Sequence, residues 1–226
     1  MGTLYLVRHG QASFGAENYD QLSPLGQLQS LRLGEHWRAQ GLVFDAVLTG
    51  TLQRQQQTWA GIAQGAGYTH DAQQWRALNE YDSEAVIQAI HPQPLAKPQT
   101  QVEAPELYRH HFRLLRKGLL QWMKGQTQPQ GMLPYAEFLA GVTGALDHVR
   151  QNHTGSVLLV SSGGPISMAV GHVLGLSHEA TIELNLRIRN SAVTEFTFNP
   201  VRHTLLSYNS LPHLSMLEHA AWVTYA

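Results

Sequence analysis

The chain has 226 residues, of which 43% are apolar and 14% charged, with a net charge of -1 and no cysteine. That length suits one domain with its own core, the missing cysteines exclude disulfides, thiolate metal centres and a cysteine nucleophile, and the balanced charge argues against a nucleic-acid surface. No apolar run nears the roughly 18–20 residues of a membrane helix, and no basic leader precedes an apolar stretch, so a cytoplasmic protein with neither membrane nor nucleic-acid partners is expected. Charged residues usually make up about 25% of a chain. Here amides carry much of the polar load, with 21 glutamines.

Thr3 to Val7 is a short β-prone run that stops at Gly10, as a buried parallel strand does. Ser23 and Pro24 are cap and first-turn signals for a helix to about Gln40, with Gly41 to end it. A second strand is expected over Phe44 to Leu48, a helix from Thr51 to about Gln64, and a weaker third strand over Ala72 to Leu78. Residues 81–150 break the alternation. Glu103 to Met123 and Leu133 to Val149 both have helical spacing, which predicts a helical insertion between the third and fourth core strands. Ser156 to Ser161 is the clearest strand, and Gly163-Gly164-Pro165 leads from it into a helix ending near Gly175. Ala192 to Phe198 and Thr204 to Tyr208 read as a hairpin turned by Asn199-Pro200. The pattern predicts an α/β fold, a three-layer α/β/α sandwich on a mostly parallel sheet. It would form a single domain over residues 1–226.

Ligands of open α/β sheets bind outside the carboxyl ends of the strands. Four strand ends here carry polar side chains: Arg8-His9-Gly10, Arg54 in the turn after the second strand, Glu80 after the third, and Ser162-Gly163-Gly164 after the fourth. Arg54 and the glycines would both sit at helix N-termini, which favour anions. Guanidinium forks match phosphate oxygens, so the ligand class is a phosphoryl group. Asp82 and Glu84 stand close enough to Glu80 to serve in its place. Arg109, Arg113 and Lys117 share a helical face that reads first as solvated and second as a substrate cap. The other histidines show no metal-ligand spacing.

These motifs resemble the histidine phosphatase superfamily, the phosphoglycerate-mutase-like proteins. The resemblance rests on Leu6-Val-Arg-His-Gly10, the D-x-L-S-x-x-G element from Asp20 to Gly26, and the L-x-R-x-x-Q-T element from Leu52 to Thr58. The Glu80 region, Val160-Ser-Ser-Gly-Gly-Pro165 and Asn190-Ser-Ala-Val193 complete it. It implies His9 as the nucleophile that forms a phosphohistidine, Arg8 and Arg54 as holders of the nonbridging oxygens, and Glu80 as acid and then base. No metal or cofactor is implied. The family places a second histidine before Gly163, where this chain has Ser162. Ser162 is then either a weaker phosphate donor or a plain strand-end residue. The expected function is a phosphomonoester hydrolase, with activity reduced by that change, on a small phosphorylated substrate or a phosphoprotein. A silent phosphate-binding protein is the alternative, and phosphoglycerate mutase a third reading.

Overall fold

The computed structural model describes residues 1–13, 20–93 and 104–225. Among them six strands form one sheet: β1 (Gly2–Arg8), β2 (Ala46–Thr49), β3 (Gln73–Gln74), β4 (Ser156–Ser161), β5 (Val193–Phe198) and β6 (His203–Ser210). The strand order is β3-β2-β4-β1-β5-β6. The first four are parallel, and β5 and β6 form a hairpin whose first strand runs antiparallel to β1. The helices are α1 (Pro24–Ala39), α2 (Gln53–Ala66), α3 (Ser83–Gln88), α4 (Ala104–Met123), α5 (Tyr135–Asn152), α6 (Gly163–Leu174) and α7 (His178–Asn185). No described helix is long and apolar enough to cross a membrane.

Period-2 alternation in the strands splits the core into two faces. Leu4, Leu6, Val157 and Leu159 point to one side and bury against Val142, Leu146 and Val149 of α5 and Ile166 and Val170 of α6. Val7, Leu158 and Val160 point to the other and meet Leu33 and Trp37 of α1 and Trp59 and Ile62 of α2. The result is the three-layer α/β/α sandwich. A third cluster lies beside the sheet, where α3 and α4 bring Val86, Leu119 and Trp122 against Met168, Ile182 and Tyr81. Thus α5 walls the main core, whereas α4 builds its own small core next to the strand ends.

The chain-order expectations hold with local changes. Ser23 caps α1 through its side chain, Pro24 takes the first turn, and Gly41 follows the helix with φ of 67°. The expected third strand from Ala72 to Leu78 is a two-residue strand, after which Arg76–Leu78 turns as a 3-10 helix. At the sheet edge only Leu48↔Gln73 and Thr49↔Gln74 can pair, and Leu78 then turns inward to bury. The short helices α3 and α7 are additional to those expected. Glu103, the expected start of α4, lies outside the described residues.

Candidate active site

β1 and β4 run in register with Arg8 opposite Ser161, so the next residues, His9 and Ser162, leave the sheet side by side. His9 is tied to that rim by its amide, which donates to Ser161 O at 2.9 Å. The chain then turns at Gly10, whose amide donates to Thr58 Oγ1 at 3.0 Å. Glycine is required there: a Cβ on Gly10 would lie 2.4 Å from Gly26 O, and one on Gly26 would lie 2.1 Å from Gln11 O. The two motif glycines therefore let the first turn of α1 close on the loop after β1. Thr58 Oγ1 in turn donates to Arg54 O at 2.7 Å, which fixes the first turn of α2 against the same loop.

His9 is buried. Its Nδ1 lies 2.7 Å from Gly10 O, and its Nε2 lies 3.2 Å from Arg54 Nε. A carbonyl oxygen can only accept and a guanidinium nitrogen can only donate. Both contacts thus select one tautomer, with the proton on Nδ1 and the lone pair on Nε2. Burial first, then the charges of Arg8 and Arg54, hold His9 well below its ordinary value near 6.5. The ring is therefore a neutral base at neutral pH, with its lone-pair nitrogen beside a guanidinium.

Arg54 is buried, and its Nη1 pairs with Asp20 Oδ1 at 2.6 Å. Asp20 Oδ2 accepts from the Gln53 amide at 2.9 Å, at the N-terminus of α2. Arg8 is directed differently. Its Nη1 donates to two backbone carbonyls, Ile188 O and Tyr225 O, each at 2.6 Å. A Cβ on Gly163 would stand 3.7 Å from Arg8 Nε, so the start of α6 packs closely over this guanidinium.

Glu80 follows the 3-10 turn and reaches the first turn of α6. Its carboxylate oxygens accept from the Gly164 amide at 3.1 and 3.2 Å, and Oε1 also accepts from the Tyr81 amide at 3.3 Å. A Cβ on Gly164 would lie 2.3 Å from Glu80 Oε1, so only glycine admits the carboxylate. Burial pushes the Glu80 carboxyl up from its ordinary value, against the Gly164 hydrogen bond and the two arginines. Asp82 instead caps α3, its Oδ1 accepting from Glu84 N and Ala85 N at 2.9 and 3.0 Å, and Glu84 is exposed. Of the three carboxylates, Glu80 alone meets the α6 N-terminus.

Ser162 is fully buried at the N-cap of α6, and its side chain makes no capping bond. Its Oγ lies 2.9 Å from Gln55 Nε2. Gly163 takes the first position of the helix. Arg109, Arg113 and Lys117 are exposed, and the neighbouring Arg116 pairs with Glu183 at 2.7 Å. Among the described residues no group of three or more His, Asp or Glu side chains could hold a metal.

The sequence assigns no site role to two members of this constellation, Asp20 and Gln55. Asp20 had a usable signal, since it opens the D-x-L-S-x-x-G element. Gln55 had almost none: it is one of three consecutive glutamines after Arg54, and only the helix phase shows that it turns inward.

The model of the histidine phosphatase superfamily (branch 1) matches residues 4–211. A curated relative, described as probable phosphoglycerate mutase GpmB of Cronobacter sakazakii, is 29% identical over 206 residues, covering 86% of this chain and 84% of the relative. Among solved structures, YhfR of Bacillus stearothermophilus superposes with a TM-score of 0.66 at 17% identity, covering 94% of this chain and 99% of that one. A mycobacterial glucosyl-3-phosphoglycerate phosphatase gives 0.65 at 19% identity over 93% and 99%. An α-ribazole-5'-P phosphatase candidate from Escherichia coli gives 0.64 at 20% identity over 93% and 97%. At these identities the solved structures establish the shared fold. The family match spans nearly the whole chain and includes every strand end described above, and the chain belongs to the histidine phosphatase superfamily.

Proposed function

We propose that the protein hydrolyses phosphomonoesters through a phosphohistidine formed on His9. The observation that carries this reading is the His9 tautomer: Nδ1 gives its proton to Gly10 O, and the Nε2 lone pair faces Arg54. Nε2 attacks phosphorus and the P–O ester bond breaks. The leaving oxygen takes the proton of Glu80, whose raised affinity for that proton suits a general acid. Water then attacks phosphorus while the Glu80 carboxylate accepts its proton. The P–N bond breaks, and inorganic phosphate leaves His9 neutral. Two simpler steps replace one difficult step. Arg54 and Arg8 hold the nonbridging oxygens, with the amide of Gly163 and the Ser162 hydroxyl as further donors, and they absorb the charge that grows in the transition state. No step calls on a metal or cofactor.

The substrate is a small phosphate ester or a phosphoprotein. The relative described as a mutase supports a second reading, transfer of the phosphoryl group back to a sugar acid. A panel of phosphate esters led by an aryl phosphate, run beside His9→Ala, tests the proposal. Turnover should appear in the parent and vanish in His9→Ala with the fold intact. Rapid quench should trap phosphate on an acid-labile, base-stable site. Binding without turnover in the parent, for every ester, would leave a silent phosphate-binding protein instead.

A further inference from the structure

Two consecutive residues of α2 grip two adjacent strand ends. Arg54 Nε reaches His9 Nε2 at 3.2 Å, and Gln55 Nε2 reaches Ser162 Oγ at 2.9 Å. Both Gln55 and Ser162 are fully buried. The Gln55 amide is completely engaged: Oε1 accepts from Leu52 N at 3.2 Å, and Nε2 donates to Leu78 O at 2.9 Å as well as to Ser162. The amide therefore cannot flip without breaking all three contacts.

This arrangement dictates where the Ser162 proton goes. Gln55 Nε2 can only donate, so Ser162 Oγ accepts from it, and the single hydroxyl proton must point elsewhere. Leu78 O, the acceptor on the Gln55 side, already takes Gln55 Nε2 and Ser161 Oγ at 2.9 and 2.7 Å, filling both lone pairs. Ser162 stands next to His9 across the β1–β4 register. A hydroxyl that accepts on its inner side is left to donate on its outer side, beside the nucleophile.

We propose that Gln55 is a positioning residue that turns Ser162 into a one-way hydrogen-bond donor to the transferring phosphoryl group. The inference rests on the phosphoryl-transfer reading above. It makes the Gln55–Ser162 pair a neutral donor at the strand end where the resemblance implies a histidine. The strand end is then rebuilt rather than merely emptied.

A double-mutant cycle tests it, with kcat and KM on an aryl phosphate, orthovanadate affinity and thermal unfolding measured for Gln55→Ala, Ser162→Ala and the double variant. Ser162→Ala should lower kcat by about tenfold to a hundredfold, below the hundred- to thousandfold typical of a single strong donor. Gln55→Ala should lower kcat by about tenfold with KM within about twofold, and the double variant should be no slower than Ser162→Ala. Gln55→Glu keeps the volume but reverses the polarity, since its carboxylate accepts the Ser162 proton. It should lose as much rate as Gln55→Ala, and Ser162→Thr, which keeps the hydroxyl, should retain most of it. A Gln55 that only fills space would instead lower kcat equally in the parent and in the Ser162→Ala background, and that result overturns the proposal. So does full activity in Ser162→Ala. If the parent turns over no ester, the phosphatase reading fails separately, and the same cycle is read from orthovanadate affinity. Additive losses there, or no orthovanadate binding at all, also overturn the proposal.

Discussion

Strands β3, β2, β4 and β1 run parallel and end at one rim, whereas the β5–β6 hairpin starts and finishes beside it. The parallel half delivers side chains: His9, Arg54, Glu80 and Ser162 all follow its strand ends. The antiparallel half and the segment after it deliver mostly backbone. The Ser191 amide donates to His9 O at 3.2 Å, the Ala192 carbonyl accepts from Arg8 N at 3.1 Å, and Ile188 O and Tyr225 O hold the Arg8 guanidinium. Residues 222–224 lie along the same seam. Gln29 Nε2 donates to Trp222 O at 2.7 Å, and Asn190 N donates to Thr224 O at 2.9 Å. One half presents the proposed chemistry, and the other holds the peptide that carries it. Changes in the first half should therefore cut rate more than stability, and changes in the second should do the reverse.

After the loss of turnover in His9→Ala, the largest effect is expected at Arg54. Arg54→Ala removes a guanidinium from the proposed phosphoryl pocket and should lower kcat/KM by about a hundred- to a thousandfold, with little change in unfolding temperature. It also removes one of the charges that depress His9, so the His9 titration followed by NMR should move up. The pH–rate profile gives the sign. In the proposed mechanism His9 must be neutral, so the acid limb follows a group held well below 6.5. Glu80 must be protonated, so the alkaline limb follows a group raised above 4.5. The profile should be bell-shaped, its limbs belonging to the pair rather than to either residue alone. In Arg54→Ala the acid limb should shift to higher pH. A profile rising steadily through about pH 9, well beyond the ordinary carboxylate range, would break the assignment of Glu80 as acid.

Gly164→Ala comes next. The added methyl would stand 2.3 Å from Glu80 Oε1 and 2.5 Å from the Tyr81 ring, so the carboxylate must leave the α6 N-terminus. We expect kcat to fall by about tenfold to a hundredfold, within the usual share of general acid–base catalysis. His9 should titrate much as before. Trapped phosphoenzyme should persist longer, because the proposed mechanism uses the same carboxylate in the hydrolytic step.

The difference between the halves also explains what the sequence made legible. Strand-end motifs are local: Arg8-His9-Gly10 and Ser162-Gly163-Gly164 each sit within one turn of a strand whose apolar run marks it, and helix caps such as Ser23-Pro24 are local too. The Arg8 contacts span 180 and 217 residues and end on carbonyls, which every residue possesses. No composition or spacing distinguishes Ile188 or Tyr225 for that role. Gln55 was hidden for a related reason, since its inward direction depends on the phase of α2 and on Gly50 leaving room. A Cβ on Gly50 would fall 1.9 Å from Gln55 Oε1. The short third strand shows the converse. Its run from Ala72 to Leu78 suggested a full strand, but only the sheet edge decides how many residues can pair.

On the antiparallel side His213 is expected to set an acid limit to stability. It is buried, its Nε2 lies 2.9 Å from Ser191 Oγ, and Ser191, whose amide bonds to His9 O, holds a left-handed φ of 57°. Burial, with His36, Arg32 and His219 nearby, pushes it down to about 3. In the unfolded chain it takes up a proton near 6.5, whereas the folded chain resists until about 3. The stabilising contribution is thus complete above about pH 6.5 and is lost as pH falls, at up to roughly 1.4 kcal/mol per pH unit. The unfolding temperature of the parent should drop between about pH 6.5 and about pH 4 more steeply than that of His213→Gln. Parallel curves would remove His213 as the cause.

The smallest effect is expected at Thr224, where the two halves can be separated most cleanly. Its Oγ1 donates to Asn190 Oδ1 at 2.9 Å and accepts from Gln29 Nε2 at 3.1 Å. Thr224→Val keeps the shape and removes both hydrogen bonds. The net loss should be about 1 kcal/mol, because Gln29 keeps Trp222 O and Asn190 keeps its backbone contact to the same residue. The threonine hydroxyl touches no group that gains or loses a proton in the reaction, so kcat should stay within about twofold. The Asn190 amide, which donates to Thr224 O, should exchange with solvent several times faster in the variant. A kcat that fell with that protection would mean that the seam does more than hold Arg8 and His9 in place: its closure would itself limit turnover, and the division between presenting and supporting halves would fail at Arg8, whose side chain leaves β1 and is held by the seam.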